Sequence, residues 1–308
     1  CATLSLDAIR KELEKIRART TRPFNLNFFC HIPPKPNAAR EEAWKTTLLP
    51  YYEEFGIDPK SVTSGPGRYP FSVDTADLLA EFKPKVVSFH FGLPTPDLLA
   101  RVHSWGGKIL SSATTVSEAL WLEAQGVDAI IAQGLEAGGH RGMFLSDDLN
   151  TQIGTFALLP QIVKAVRIPV IAAGGIADAN GVAAALTLGA IGVQIGTAYM
   201  LCPEATTSDL HRTALKSKEA ELTALTNLFT GRPARGIINR IMRDLGPIST
   251  AVPAFPLATS AIAPLRKAAE GRGVDGFSPL WAGQNASGCR EISAATLTRL
   301  LARLPSVD

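Results

Sequence analysis

The chain has 308 residues, of which 46% are hydrophobic and 19% charged, enough apolar material for one large domain with an accessory lobe. This composition excludes a disordered or collagen-like protein, and a formal net charge of only +3 excludes a basic nucleic-acid-binding protein. The longest apolar stretches fall far short of the roughly 20 residues that cross a bilayer. Four widely separated cysteines predict neither a disulfide framework nor a zinc site, so we expect a cytoplasmic protein.

Short apolar runs rich in Val, Ile and Phe alternate with segments of helical periodicity, which is typical of parallel strands covered by helices on both faces. Residues 1–23 predict a helix with Ser5 as its N-cap, leading directly into the first strand. Strands are predicted at residues 24–29, 85–91, 108–111, 128–133, 169–173, 190–195 and, more weakly, 225–230. Helices are predicted at residues 94–105, 115–125 and 178–188, each closed by a glycine, and at residues 293–304.

The regular alternation from residue 85 to residue 196 favours a (β/α)8 TIM barrel, an α/β fold that needs eight strands. The pattern supplies seven, and the sequence opens with a helix and with Cys1 rather than Met. We therefore expect the chain to begin inside its first βα unit and to lack the first barrel strand. Residues 1–199 and 278–308 are predicted to form the barrel, and residues 200–277 a smaller helical lid domain.

The segment QGLEAGGHRG at residues 133–142 directly follows a predicted strand. In a parallel barrel the carboxyl ends of the strands face the active site, so this loop lies where catalysis occurs. Gly138 and Gly139 carry no Cβ, so their backbone is free to lie against a flat ligand or to take a positive φ before presenting His140. The alternative is a glycine-rich turn that carries an exposed histidine.

Two consecutive βα turns also contain glycine. A phosphate needs several backbone N–H groups that converge without obstruction by side chains, and a pair of adjacent turns supplies them. Each turn alone is an ordinary tight turn, but the pair predicts a site for phosphate or for a phosphorylated cofactor. The residues of these two turns are Gly174 and Gly175, and Gln194, Ile195, Gly196 and Thr197.

Polar side chains interrupt two of the apolar strands. Alternation places Ser88 and His90 on one side of their strand, with His90 at the carboxyl end and pointing to the barrel mouth, although a satisfied core histidine is equally consistent with the pattern. Asn25 and Asn27 share one face of the first strand. Each needs partners, either in neighbouring backbone or on the polar edge of a ligand.

Other polar and aromatic features favour structural roles. No metal site is predicted, because Cys30 and His31 lack further spaced ligands. The arginines at 232, 235, 240 and 243 predict a solvated basic face, with attraction of an anionic substrate as the alternative. Trp281 is expected to plug the end of the barrel rather than to contact a ligand.

These motifs resemble those of the nitronate monooxygenases, formerly called 2-nitropropane dioxygenases, from about residue 24 to the carboxyl terminus. The loop at 133–142 and the AGGI segment at 173–176 are the most specific parts, and QIGT at 194–197 adds to them. SFHFG at 88–92 and FSPLWAGQ at 277–284 make the chain similar to the class I group in particular. Members of the family begin with a strand of Ala-Pro-Met-Gly type that lines the flavin, and residues 1–23 contain no such segment.

The resemblance implies an FMN-dependent barrel enzyme. By this resemblance Asn27, Gln133 and Gly138 contact the flavin, while Gly175 and the turn at 194–197 hold its phosphate end. His140 matches the catalytic base of the family, and His90 matches a second active-site histidine.

The implied reaction converts alkyl nitronates, and nitroalkanes, with O2 to carbonyl compounds and nitrite. For a neutral nitroalkane we expect His140 to remove the α proton with a pKa near the working pH, and His90 to hydrogen-bond the nitro oxygens. Two alternatives stay open: an FMN-dependent NAD(P)H:quinone or enoyl reductase of the same barrel type, and a catalytically silent flavin-binding protein. The expected partners are small molecules and O2, with neither nucleic acid nor membrane, and the sequence does not predict an oligomeric state.

Overall fold

The computed structural model describes residues 3–62 and 68–304, so Cys1 lies outside the described residues. The helices are α1 (Leu6–Arg19), α2 (Ala38–Phe55), α3 (Val73–Phe82), α4 (Pro96–Ser104), α5 (Val116–Ala124), α6 (Thr155–Ala165), α7 (Ala179–Thr187), α8 (Asp209–Lys216), α9 (Arg240–Leu245), α10 (Thr259–Gly271) and α11 (Ala294–Leu301). The strands are β1 (Asn25–Phe29), β2 (Val86–His90), β3 (Lys108–Ala113), β4 (Ala129–Gln133), β5 (Gly139–His140), β6 (Val170–Ala173), β7 (Gly192–Gln194), β8 (Thr223–Thr226) and β9 (Ala234–Ile237). No helix within these residues is both long and apolar enough to span a membrane.

Six strands form one parallel sheet in the order β1-β2-β3-β4-β6-β7. The register aligns the carboxyl ends of neighbouring strands, with Phe29 beside His90 and Gln133 beside Ala173. The sheet curls into a half barrel with helices packed against it, which confirms the predicted α/β fold of TIM-barrel type. Six of the seven predicted strands are present in it. Their carboxyl ends meet at one edge, where the predicted site residues cluster.

The helices predicted between these strands are also confirmed. The Ser5 hydroxyl accepts the Ala8 N–H at 3.3 Å and caps α1, as predicted. Helices α4, α5 and α7 occupy the predicted segments. Their apolar faces pack on the sheet, where Val87, Phe89 and Ile130 are fully buried. Each buried side chain of this kind contributes about 1.5–3 kcal/mol to folding.

The prediction of a seventh barrel strand at residues 225–230 is wrong both in its position and in the strand with which it pairs. Strand β8 is shifted to Thr223–Thr226 and pairs antiparallel with β9, which in turn pairs with β5, so that the second sheet has the order β5-β9-β8. The connection between β8 and β9, residues 227–233, suits an antiparallel hairpin. It is too short for the crossover of a dozen or more residues that parallel neighbours need. Residues 200–277, predicted as helical, therefore also contain two strands.

A second hydrophobic core lies apart from the core of the parallel sheet. It joins α2, from the insertion after β1, to α10, with Trp44, Tyr52 and Leu265 fully buried between them. The Arg240 guanidinium adds a double contact to Glu54 of α2 at 2.6 and 2.7 Å. Two separate parts of the chain thus share this core. The domain boundaries predicted at 199/200 and 277/278 stay a prediction.

Candidate active site

A cavity of about 520 Å³ opens at the carboxyl edge of the parallel sheet. This volume lies within the range of small-molecule sites, and the position matches the active-site face of such barrels. All twelve residues predicted for the site line it, although they come from five strands and the loops that follow them. They are Asn27, His90, Gln133, Gly138, Gly139, His140, Gly174, Gly175, Gln194, Ile195, Gly196 and Thr197.

The loop after β4 presents His140 to the cavity. Gly139 takes a φ of +74°, the positive value for which the sequence provides a glycine. Gly139 and His140 then form β5, in which His140 pairs with Ala234 of β9. The Arg141 N–H extends this pairing by donating to the Pro233 carbonyl at 2.8 Å. The second sheet, β5-β9-β8, which we call the accessory sheet, therefore fixes the backbone of His140.

Two side chains also hold the carbonyl oxygen of His140. Nε2 of His90 donates to it at 3.1 Å and Nε2 of Gln133 at 3.0 Å, while Oε1 of Gln133 accepts the Gly142 N–H at 2.7 Å. Because a carbonyl only accepts, the hydrogen of His90 is on Nε2, and its Nδ1 accepts from the Ser112 hydroxyl at 3.0 Å. Both ring nitrogens of His90 are therefore engaged within the protein.

The His140 ring lies in an aromatic enclosure. Its Nε2 is 2.9 Å from the hydroxyl oxygen of Thr230. Trp281 lines the cavity, with its ring centre 5.6 Å from that of His140. The other aromatic rings within 6.0 Å of His140, measured between centroids, are those of Phe29, Phe91 and Phe255.

Burial keeps both cavity histidines in the neutral form. Burial lowers the pKa of His140 well below its usual range, and the positive charges of Arg68 and Arg232 add to that effect. Burial likewise lowers the pKa of His90 to about 4, with smaller contributions from Arg232 and Arg141. The expected pKa of His140 near the working pH is therefore wrong. Both rings are neutral at pH 7, which leaves His140 a lone pair to accept a proton.

A buried charged network, absent from the sequence predictions, supports the loop. Arg141 is fully buried, and Gln152 and Thr114 connect it to the buried carboxylate of Glu118. Glu118 also accepts the Phe144 N–H at 2.6 Å. The available signal was a charged residue directly after His140 in an otherwise apolar region. Arg141 donates to the carbonyls of Gly134 and Gln133 at 2.7 and 2.8 Å and to Oε1 of Gln152 at 2.9 Å.

We call the two glycine-containing turns, Gly174–Gly175 and residues 194–197, the glycine edge of the cavity. Asn285 donates to the Gly175 carbonyl at 3.0 Å, and the Thr197 hydroxyl accepts the Gly283 N–H at 3.0 Å, so both turns are anchored. The N–H groups of Gly175 and Gly196 have no acceptor in residues 3–62 and 68–304. A Cβ on Gly196 would meet no atom within 4 Å. Free donors beside open space fit the phosphate end of a flavin.

Packing requires a glycine at two of the predicted positions. A Cβ on Gly138 would lie 2.5 Å from the nitrogen of Gly283, so this residue allows two backbone segments to meet. Gly174 has a φ of +115°, and its Cβ would lie 2.9 Å from the Thr155 hydroxyl. These two glycines shape the wall of the cavity in addition to lining it.

The strand asparagines find partners inside the protein. Nδ2 of Asn25 and Nδ2 of Asn27 donate to the Ser88 hydroxyl at 2.8 and 2.9 Å. Asn27 also lines the cavity.

The arginines predicted to form a basic face have different environments. Arg235 is buried and donates to the Leu135 carbonyl, whereas Arg240 pairs with Glu54 at the surface.

The family model for nitronate monooxygenase matches residues 1–303 of the chain. The chain belongs to the nitronate monooxygenase family. The nitronate monooxygenase of Paraburkholderia phytofirmans is 43% identical to it over 97% of this chain and 82% of that protein. The nitronate monooxygenase of Pseudomonas aeruginosa is 42% identical over 95% of this chain and 84% of its own.

A solved structure gives the same result for the fold. Nitroalkane oxidase from Streptomyces ansochromogenes superposes with a TM-score of 0.87 at 37% identity, covering 97% of this chain and 84% of that chain. The resemblance predicted from the sequence motifs is confirmed. As a member of the nitronate monooxygenase family, this protein is an oxidoreductase.

Proposed function

We propose that this protein is an FMN-dependent nitronate monooxygenase that oxidises alkyl nitronates, and nitroalkanes, with O2 to carbonyl compounds and nitrite. The observation that carries the proposal is the single cavity in which the neutral His140 ring and the free N–H groups of the glycine edge both lie. Membership of the nitronate monooxygenase family supports it, as does the likeness to a nitroalkane oxidase.

The residues around the cavity divide the binding of FMN between them. The glycine edge would hold the phosphate through its backbone donors, with Gly175 and residues 194–197 closest to it. Asn27, Gln133, Gly138 and Gly139 would lie along the rest of the flavin. When bound, FMN supplies the redox chemistry that amino-acid side chains lack.

His140 acts on the α proton of a neutral nitroalkane. Its neutral ring accepts the proton, and the nitronate product is an anion. The positive charges of Arg68 and Arg232 disfavour the imidazolium but stabilise this anion, so they assist product formation in the same site. A preformed nitronate has already lost the proton and needs no base.

His90 has a different role from the one predicted. Because both of its ring nitrogens have protein partners, it is not free to hydrogen-bond the nitro oxygens. Instead it holds the carbonyl of His140, together with Gln133. We therefore assign to His90 the positioning of the base.

The test combines a spectrum with an activity assay. The purified protein is expected to show the absorbance of oxidised FMN and to release nitrite from ethylnitronate under air. Rapid anaerobic bleaching of the flavin by NADH or NADPH, without nitrite release under air, would favour the reductase alternative. A flavin-loaded protein that neither bleaches nor releases nitrite would be a silent flavin-binding protein.

A further inference from the structure

Thr230 contacts the ring of His140, and the reaction proposed above gives it no role. It lies in the turn between β8 and β9 and is only 3% exposed. Its hydroxyl oxygen is 2.9 Å from Nε2 of His140 and donates to the Arg232 carbonyl at 3.3 Å. A hydroxyl has one hydrogen, so an oxygen that donates to a carbonyl offers only lone pairs to its other neighbour. With the hydroxyl donating to the Arg232 carbonyl, the hydrogen between Thr230 and His140 is on Nε2 of the histidine.

The other ring nitrogen of His140, Nδ1, is not fully enclosed by protein. Nδ1 has no hydrogen-bond partner among the described residues, and it is not one of their buried unpaired atoms. The His140 ring lines the cavity wall. In the neutral ring with hydrogen on Nε2, the lone pair on Nδ1 is thus open to a bound substrate.

We infer that Thr230 is a positioning residue that fixes the tautomer of His140, so that Nδ1 is the atom that accepts the substrate proton. This inference rests on the proposed function. In the step, the C–H bond at the α carbon breaks and its electron pair spreads onto the nitro group, giving the nitronate. The proton forms a new N–H bond at Nδ1, and the ring becomes an imidazolium that still donates from Nε2 to Thr230.

The charges around His140 make the uncharged hydroxyl of Thr230 important as a hydrogen-bond acceptor for its ring. The positive charges that act on His140 are those of Arg68 from the segment before α3 and of Arg232 of the β8–β9 turn, and no carboxylate of the described residues hydrogen-bonds to its ring. The hydroxyl oxygen of Thr230 therefore contacts the imidazolium where no carboxylate does. Without it, the neutral ring is free to carry its hydrogen on Nδ1, and in that fraction of the protein Nδ1 has no lone pair to accept the substrate proton.

The turn that carries Thr230 is itself held in place. The guanidinium of Arg232 lies 4.2 Å from the centre of the Phe91 ring and donates to the Met143 carbonyl. These contacts tie the turn to the end of β2 and to the loop that follows His140. The position of the hydroxyl is therefore set by the fold rather than by the ligand.

Three variants test this role. Thr230→Val keeps the shape but removes the hydroxyl, and we expect kcat/KM for nitroethane to fall about tenfold, the value of one hydrogen bond. Turnover of preformed ethylnitronate is expected to stay within about twofold. Thr230→Ser restores the hydroxyl and should recover most of the loss. Thr75→Val, which removes a buried hydroxyl of α3 that contacts only the Ser72 hydroxyl among the described residues, is the matched control and should change neither rate.

Nitrogen NMR of the histidine side chains decides the tautomer independently of turnover. In the protein as purified, His140 should show the neutral form with hydrogen on Nε2, and in Thr230→Val a mixture of both forms. Hydrogen on Nδ1 in the unmutated protein would overturn the inference even if nitrite release is normal. Loss of both substrates in Thr230→Val without rescue by Thr230→Ser would equally overturn it, since that pattern marks a purely structural residue. A protein that turns over no nitroalkane contradicts the proposed function, while its NMR spectrum still decides the role of Thr230.

Discussion

The two edges of the cavity are built in different ways. The glycine edge offers free backbone N–H groups from two consecutive turns of the barrel. The opposite edge, which we call the histidine edge, consists of the side chains of His90, Gln133, His140 and Thr230. Its contacts bridge 50 residues between His90 and His140 and 90 residues between His140 and Thr230. The barrel alone supplies the first edge, whereas the second depends on the accessory sheet.

This difference predicts which kind of substitution should damage each edge. Adding a Cβ damages the glycine edge, because its function lies in free space and free N–H groups. Removing a single donor or acceptor damages the histidine edge, because its function lies in the orientation of one ring. Substitutions on the two edges should therefore separate flavin binding from proton transfer.

The largest effect is expected from His140→Asn. Loss of a general base costs about 10²- to 10⁴-fold in rate, so turnover of nitroethane should nearly disappear. Flavin content should be unchanged, since the glycine edge is intact. Preformed ethylnitronate should be turned over at a much smaller loss, and comparing steady-state rates on the two substrates measures this. Equal losses on both would remove His140 from the role of base.

Arg141→Met should weaken the histidine edge through its support. The substitution leaves the Glu118 carboxylate without its buried cation and two carbonyls without donors, which we expect to cost about 3–5 kcal/mol in the free energy of unfolding. Urea unfolding followed by circular dichroism measures it. Arg240→Met, at an exposed ion pair with Glu54, is the control and should cost less than about 1 kcal/mol. Similar losses in both variants would contradict the importance of the buried network.

The pH dependence of stability tests the environment of His90. Its pKa is lowered to about 4 in the folded protein, so between pH 6.5 and pH 4 the unfolded chain takes up a proton that the folded protein does not. Stability is therefore complete above pH 6.5 and falls as the pH drops to 4, by about 3 kcal/mol from this group. His90→Gln keeps a side-chain N–H donor without titrating, and its unfolding free energy should fall less steeply over that window. An unchanged slope would place the pKa of His90 near its ordinary value.

A pair of alanine substitutions tests the glycine edge. Gly174→Ala forces a Cβ onto the Thr155 hydroxyl at a positive φ, and should cost about 1–3 kcal/mol in stability. Gly196→Ala meets no protein atom and should change stability by less than about 0.5 kcal/mol. It should still weaken FMN binding, because its methyl group extends into the space beside the phosphate. Thermal unfolding and flavin fluorescence separate the two effects, and a Gly196→Ala protein with unchanged FMN affinity would contradict the phosphate site.

The glycine edge was predictable from the sequence because it is local. Each turn directly follows a predicted strand, and parallel strands bring their carboxyl ends together. The same reasoning placed His90 and His140 at the cavity. Nothing in the sequence marks Thr230 as the partner of His140, because a threonine in a turn 90 residues away carries no periodic or motif signal.

Two predictions are wrong, the position of β8 and the pKa of His140, because both depend on contacts that form only in the folded chain. Strand β8 was predicted to join the barrel, since its apolar residues fit a buried strand, but the short connection to β9 directs it into an antiparallel sheet. The pKa of His140 was expected near neutrality because its neighbours were not known. Burial and two arginines, which only the folded chain brings together, lower it.

The most direct test of the central claim is a titration of the flavin-free protein with FMN and with riboflavin, followed by flavin fluorescence. If the glycine edge binds phosphate through its free N–H groups, FMN should bind at least about tenfold more tightly than riboflavin, which lacks the phosphate. Equal affinities for the two, or no binding of either, would contradict the assignment of this cavity.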